Sequence, residues 1–151
     1  MIVDADVSIT SLDAFDISYY RERLSTEHYD VDISNVSDGE FAGTFIEIGR
    51  NGEVAITLQG DLITKQLWTA FVRTSSVRDP SGYTVGQLLS KALGGQAQCE
   101  VGDEGQTYCW KDNNPSILYM PDLRCKEKIK DGDNVIADNC RIAEIAVIFN
   151  K

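Results

Sequence analysis

Residues 29–59 carry the pattern that most limits what this chain can fold into. Tyr29, Val31 and Ile33 alternate with Asp30, Asp32 and Ser34, the period-2 signature of a half-buried strand. A second apolar stretch covers 41–49, with Phe45, Ile46 and Ile48, and Asn51-Gly52 follows it. Asn-Gly between two such runs is the strongest short hairpin signal, because a type I′ turn needs positive φ at both central positions. Val54, Ile56 and Leu58 then alternate with Ala55, Thr57 and Gln59. Gly60-Asp61 predicts a further turn. Residues 62–73 read as one long strand, in which Leu67, Trp68, Phe71 and Val72 make both faces apolar. Strands in this order make an antiparallel meander.

Two helices are expected beside it. Ile17, Tyr20 and Leu24 share one face at helical spacing, with Asp13 as the cap, Asp16 in the first turn, and Arg21 and Arg23 near the end. This predicts a helix at about 14–24. Asp79-Pro80-Ser81-Gly82 reads as a turn. After it, Thr84 and Gln87 form a capping-box pair, Val85, Leu88, Leu89, Ala92 and Leu93 form an apolar stripe, and Gly94 suits the left-handed stop. Short strands are expected at about 97–101, 106–111 and 116–120, and a last one at 141–149 with Ile142, Ile145, Val147 and Phe149. Residues 121–140 look irregular and charged. The fold class is α+β: a curved antiparallel sheet, a meander of hairpins, with two packed helices and a disulfide-stapled C-terminal part. A length of 151 residues predicts one globular domain over 1–151.

The staples are the four cysteines, Cys99, Cys109, Cys125 and Cys140, all in the last third. No C-x-x-C pair occurs, so zinc-ribbon and thioredoxin-type motifs are absent. Cys99 and Cys109 flank Gly102-Asp103-Glu104-Gly105. Cys125 and Cys140 flank Asp131-Gly132-Asp133-Asn134. Both intervals are turn-rich, which favours the bridges Cys99–Cys109 and Cys125–Cys140, although four cysteines allow three pairings. A four-thiolate metal site and four free buried thiols are the alternatives. Disulfides persist outside the cytosol, so the expected location is periplasmic or secreted. Met1-Ile2-Val3-Asp4-Ala5-Asp6 has no basic or apolar leader character, so that location implies a leader removed ahead of it.

Charge narrows the partners. The formal net charge is −10. Such a field disfavours phosphate backbones and anionic headgroups and accepts a basic protein partner or a metal cation, and it also serves solubility alone. No apolar run is long enough to span a bilayer as a helix.

The search for chemistry finds little. His28 is the sole histidine, and its position between a helix and a strand reads as surface. No Gly-x-Ser-x-Gly elbow accompanies the serines. Phosphate-binding glycine loops are absent. Asp131-Gly132-Asp133-Asn134 fails the register of a calcium loop. No catalytic set, metal or cofactor is expected. Ser81-Gly82-Tyr83 is the candidate partner-binding loop, since short Ser-Gly-x-Tyr-like motifs occur in bacterial lysozyme inhibitors. A tyrosine packed at the mouth of the second helix explains the same residues.

The order of features resembles the RpoE-regulated bacterial lipoproteins of the YfeY type, over roughly residues 7–149. The resemblance starts at Ser8-Ile9-Thr10 and the early helix. It continues through Tyr29-Asp30-Val31, Phe45-Ile46-Glu47-Ile48, Val54-Ala55-Ile56 and Ser75-Ser76-Val77. It takes in Gly82-Tyr83-Thr84-Val85-Gly86 leading into Leu88-Leu89-Ser90-Lys91-Ala92-Leu93-Gly94, then Cys99, an acidic loop and Cys109. Ser116-Ile117-Leu118-Tyr119 and Ile145-Ala146-Val147-Ile148 close it. The resemblance implies an extracytoplasmic, envelope-associated domain with a Cys99–Cys109 bridge, and it carries over no functional residues. Cys125 and Cys140 are additional to the family pattern, and a lipidated cysteine is lacking.

The functional expectation is a non-enzymatic envelope protein that binds a protein partner. An inhibitor or immunity protein against a cell-wall hydrolase is its sharpest form. A carrier of a small apolar ligand is the alternative, with Trp68, Trp110, Phe45 and Phe71 as its pocket lining, although core packing explains these four equally well. An enzyme that uses carboxylates, with or without a divalent metal, is the third class.

Overall fold

A computed structural model describes residues 2–4, 7–10, 13–24, 28–38, 41–94, 97–101, 107–122, 125 and 140–149. Among these, a small hairpin of β1 (Ile2–Asp4) and β2 (Val7–Ser8) precedes helix α1 (Ile17–Leu24). Four strands follow: β3 (Asp30–Asp38), β4 (Phe41–Arg50), β5 (Glu53–Asp61) and β6 (Gln66–Val72). Then come α2 (Leu89–Leu93), β7 (Ala97–Val101), β8 (Thr107–Lys111), β9 (Asn114–Pro121) and β10 (Ile142–Ile148). Strands β3 to β10 form one eight-stranded sheet in the order β3-β4-β5-β6-β10-β9-β8-β7. Every pairing is antiparallel, and the ends β3 and β7 do not pair with each other. The sheet is open.

Two meanders, β3–β6 and β7–β9, are joined by the C-terminal strand β10, which slots between β6 and β9. This register aligns one row of side chains across all eight strands. Val31 pairs with Ile48, Ile48 with Ile56, Ile56 with Val72, Val72 with Ile145, Ile145 with Tyr119, Tyr119 with Cys109, and Cys109 with Cys99. Because side chains alternate between faces, this row defines the inner face. Its members from Ile48 to Ile145 are fully buried. Ile9, Phe15, Tyr20 and Leu24 from the N-terminal part, and Leu89 and Leu93 from α2, complete the same core.

Asn51 (φ +56°) and Gly52 (φ +80°) make the β4–β5 turn with the two positive φ values that the dipeptide predicts. The next turn differs from expectation. Gly60-Asp61 belongs to β5, and the chain reverses over 62–65. The Asp61 carboxylate accepts the amides of Ile63 (2.8 Å) and Thr64 (3.1 Å), and Lys65 sits at φ +59°. The predicted strand 62–73 therefore starts only at Gln66. Gly60 serves close approach instead: a Cβ there would lie 2.3 Å from the Gln66 carbonyl oxygen and 2.6 Å from Phe15 Cγ.

The helices are smaller than expected. α1 starts at Ile17 rather than 14, because Ala14 forms a bridge to Gln66 and the Phe15 amide donates to the Lys65 carbonyl at 2.9 Å. Asp16, not Asp13, caps the helix, taking the Ser18 amide at 2.9 Å while Lys65 Nζ sits 2.9 Å away. Those contacts hold its carboxyl below the ordinary range, the Lys65 hydrogen bond first. Asp13 instead accepts the Thr10 amide, the Tyr19 hydroxyl and the Arg23 guanidinium. The second helix has only five residues. Leu88 is extended and bridges Arg141, and Gly86, Gln87 and Leu89 hydrogen-bond to Ile142 and Cys140. Pairing with the segment before β10 thus replaces the first half of the predicted helix. Half of the capping box survives: Gln87 Oε1 accepts the Thr84 amide at 3.0 Å, while the Thr84 hydroxyl turns to the carbonyls of Val77 and Thr74. Gly94 stops the helix at φ +67°.

Two further expectations change. Ile33 is 45% exposed at the sheet edge rather than half-buried. Along β5, Ala55 and Thr57 are buried as well as Ile56 and Leu58, so the alternation does not separate a wet face from a dry one. The predicted turns 102–105 and 131–134, the latter with the calcium-loop comparison, lie outside the described residues.

Candidate functional site

Both disulfides are present, Cys99–Cys109 and Cys125–Cys140. The first joins directly opposed residues of β7 and β8. The second ties the end of the β9 region to the start of β10. The four sulfurs are thus joined in two pairs rather than gathered as a four-thiolate site or left as free thiols.

The candidate loop is built around a residue that the motif did not include. Asp79 is 1% exposed. One carboxylate oxygen accepts the amides of Ser81 (2.7 Å) and Tyr83 (3.0 Å), and the other accepts the Tyr119 hydroxyl at 2.5 Å. The Gly82 amide donates to the Asp79 carbonyl, and Arg78 reaches over to the Gly82 carbonyl at 2.7 Å. Burial and the Asp79 bond push the Tyr119 phenol well above its ordinary pKa. Ser81 and Gly82 are thereby held rigidly in solvent. Tyr83 is half-buried, edge-on to the Tyr119 ring at 6.4 Å, with Lys111 Nζ 5.8 Å from its own ring. So the loop presents Ser81 and Gly82, while Tyr83 anchors it to the core. Asp79 was visible in the sequence only as a turn residue. Its partner Tyr119 lies 40 positions away, and no local pattern could have joined them.

The larger surface is the outer face of the sheet. Its central row runs Asp32, Glu47, Thr57, Phe71, Ala146 and Leu118 through the register. By the same alternation Tyr108, Trp110 and Met120 belong to this face, where the Tyr108 and Trp110 rings lie 6.1 Å apart. Phe45, Phe71, Tyr108, Trp110, Leu118, Met120 and Ile148 are all half-buried, yet none joins the core cluster. Arg73 crosses the middle. Its Nε donates to Thr57 at 2.8 Å, Nη1 lies 3.4 Å from Glu144, and its guanidinium stacks 5.7 Å from the Phe71 ring. Toward β3 the face turns acidic: Asp30, Asp32, Glu47 and Glu53 surround a shallow cavity of about 120 Å³ together with Arg50. Among the described residues no group of three potential ligands is arranged to hold a metal.

These positions correct the ligand-pocket expectation. Phe45, Phe71 and Trp110 lie spread along the outer face, and Trp68 is 38% exposed, so the four do not enclose a common interior cavity. His28 is exposed in the turn between α1 and β3 at φ +62°. No helix among the described residues is long and apolar enough to cross a membrane.

The open eight-stranded arrangement is similar to that of a solved protein. Superposition on the crystal structure of the uncharacterized protein YfeY from Escherichia coli gives a TM-score of 0.66 over 93% of this chain and 92% of that chain, at 17% sequence identity. This chain has a YfeY-like fold. At that identity the likeness concerns the fold alone. No family model matches the sequence, and no curated protein matches it.

Proposed function

We propose that this chain is a non-enzymatic, extracytoplasmic envelope protein that binds a basic protein partner on the outer face of its sheet. One observation carries the reading: a second band of apolar and aromatic side chains, on the face opposite the core, that no described helix covers. Large apolar patches rimmed by charge mark interaction surfaces. Asp30, Asp32, Glu47 and Glu53 flank this one, and the net charge of −10 favours a cationic partner by steering. The two disulfides support an oxidising compartment. RpoE regulation belongs to the same reading through the YfeY resemblance.

The inhibitor or immunity version of this reading places the Asp79-pinned loop in the partner's cleft. A photo-crosslinking amino acid at Leu118, Ser81 or Ile63, with the purified chain in extracytoplasmic extract, separates the versions. A discrete adduct from Leu118 that weakens between 0.05 and about 1 M salt, where the screening length falls to about 3 Å, is expected. An adduct from Ser81 alone would move the interface to the loop. Equal adducts from all three positions, including the 93% exposed Ile63, would overturn the proposal.

A further inference from the structure

A second, independent site lies on the other side of the molecule's charge balance. Tyr83, Gln87, Leu88, Lys91 and Arg141 line a cleft of about 220 Å³ between the Asp79 loop, α2 and the residue that leads into β10. Its geometry is fixed by backbone. Leu88 and Arg141 are bridge partners, so their side chains start from adjacent positions. The Ile142 amide donates to the Gln87 carbonyl and the Gly86 amide to the Ile142 carbonyl, which clamp both walls. Lys91, in α2, lines the same cleft as Leu88.

The cleft is cationic in a chain whose net charge is −10. Elsewhere Arg23, Lys65 and Arg73 each pair with a carboxylate. Among the described residues neither Lys91 nor Arg141 forms such a side-chain ion pair, though the Asp122 carboxylate accepts the Arg141 backbone amide at 3.3 Å, and both side chains are exposed. Arg141 Nη1 donates to the Gly86 carbonyl at 2.8 Å, which orients the guanidinium and leaves its other donors to the cleft. Lys111 adds a third positive charge, its Nζ 5.8 Å over the Tyr83 ring. The remaining walls are apolar: the half-buried Tyr83 ring and Leu88. A guanidinium is built for bidentate pairing with a carboxylate, and the ring beside it offers a face for a short apolar group.

We infer that this cleft binds a small amphiphilic monocarboxylate, with its carboxylate between Arg141 and Lys91 and its apolar part against Tyr83 and Leu88. The site uses no residue of the outer face, so it stands or falls separately from partner binding on that face.

Titration of the isotope-labelled full chain with 3-phenylpropionate, followed by amide NMR, tests it. Saturable shifts at Gln87, Leu88, Lys91 and Arg141 are expected. The neutral 3-phenylpropionamide should bind at least tenfold more weakly, as should the acid to Lys91→Gln, an exposed position that leaves the fold intact. Arg141→Gln should weaken binding further. Equal binding of the amide, undiminished binding by Lys91→Gln, or no saturable shift would overturn the inference. An equal response to inorganic phosphate would reduce the cleft to a general anion spot and remove the amphiphilic assignment.

Discussion

At the scale of single residues, Asp79 and Tyr119 hold the most consequential contact. A buried carboxylate is tolerable only where its oxygens are satisfied, and here two amides and one phenol do so. Tyr119→Phe removes the phenol and leaves one oxygen short of a donor. The expected cost at neutral pH is about 1.5–3 kcal/mol, the range for a hydrogen bond to a charged group, read by urea denaturation. The pH dependence follows from the raised phenol pKa. The folded protein holds that proton more tightly than the unfolded chain does, so the stabilisation is fully present below about pH 10, the unfolded value. It is lost as the pH climbs beyond that. The gap between wild type and Tyr119→Phe should therefore narrow above pH 10. A gap that widens there would contradict the assignment.

At the scale of elements, strands were far more legible than helices. Asn51-Gly52 specified its turn because only a backbone with two positive φ values closes that hairpin, a local requirement. The strands β7 to β10 likewise fell within a few residues of their expected spans, and the cysteine intervals indicated the two bridges. The second helix was misjudged because the capping pair and apolar stripe are local signals, whereas the bonds from Gly86, Gln87 and Leu89 to residues 140–142 are not. Gly60 was misjudged for a related reason. Glycine marks both turns and close contacts, and the contact with Phe15 spans 45 positions in the chain. Gly60→Ala should cost about 2 kcal/mol or more, in the range of overpacked cores, because the obstructing Gln66 carbonyl is backbone and cannot swing aside. An unchanged melting transition would show that β5 and β6 separate more easily than described. Of the candidate site, the sequence showed the loop but not its anchor. It offered Phe45, Phe71, Trp68 and Trp110 as pocket lining or core, because which face a strand residue takes depends on pairings that no local pattern fixes.

At the scale of the whole molecule, one face of the sheet is committed to the core and the other carries the apolar band of the proposed partner surface. The disulfides bear on both. Cys99–Cys109 closes the row that runs across the inner face, and Cys125–Cys140 fixes the entry to β10, the strand that joins the two meanders. With sequence separations of 10 and 15, each bridge is worth about 3 kcal/mol in the chain-entropy account, a large share of the stability of a domain this size. An oxidising compartment, and with it the envelope reading, depends on those bonds existing in the protein as its own cell makes it. Intact mass after alkylation of the natively produced chain, without reductant, tests this most directly. No thiol adduct before reduction and four after it are expected. Four adducts before reduction would contradict the envelope reading.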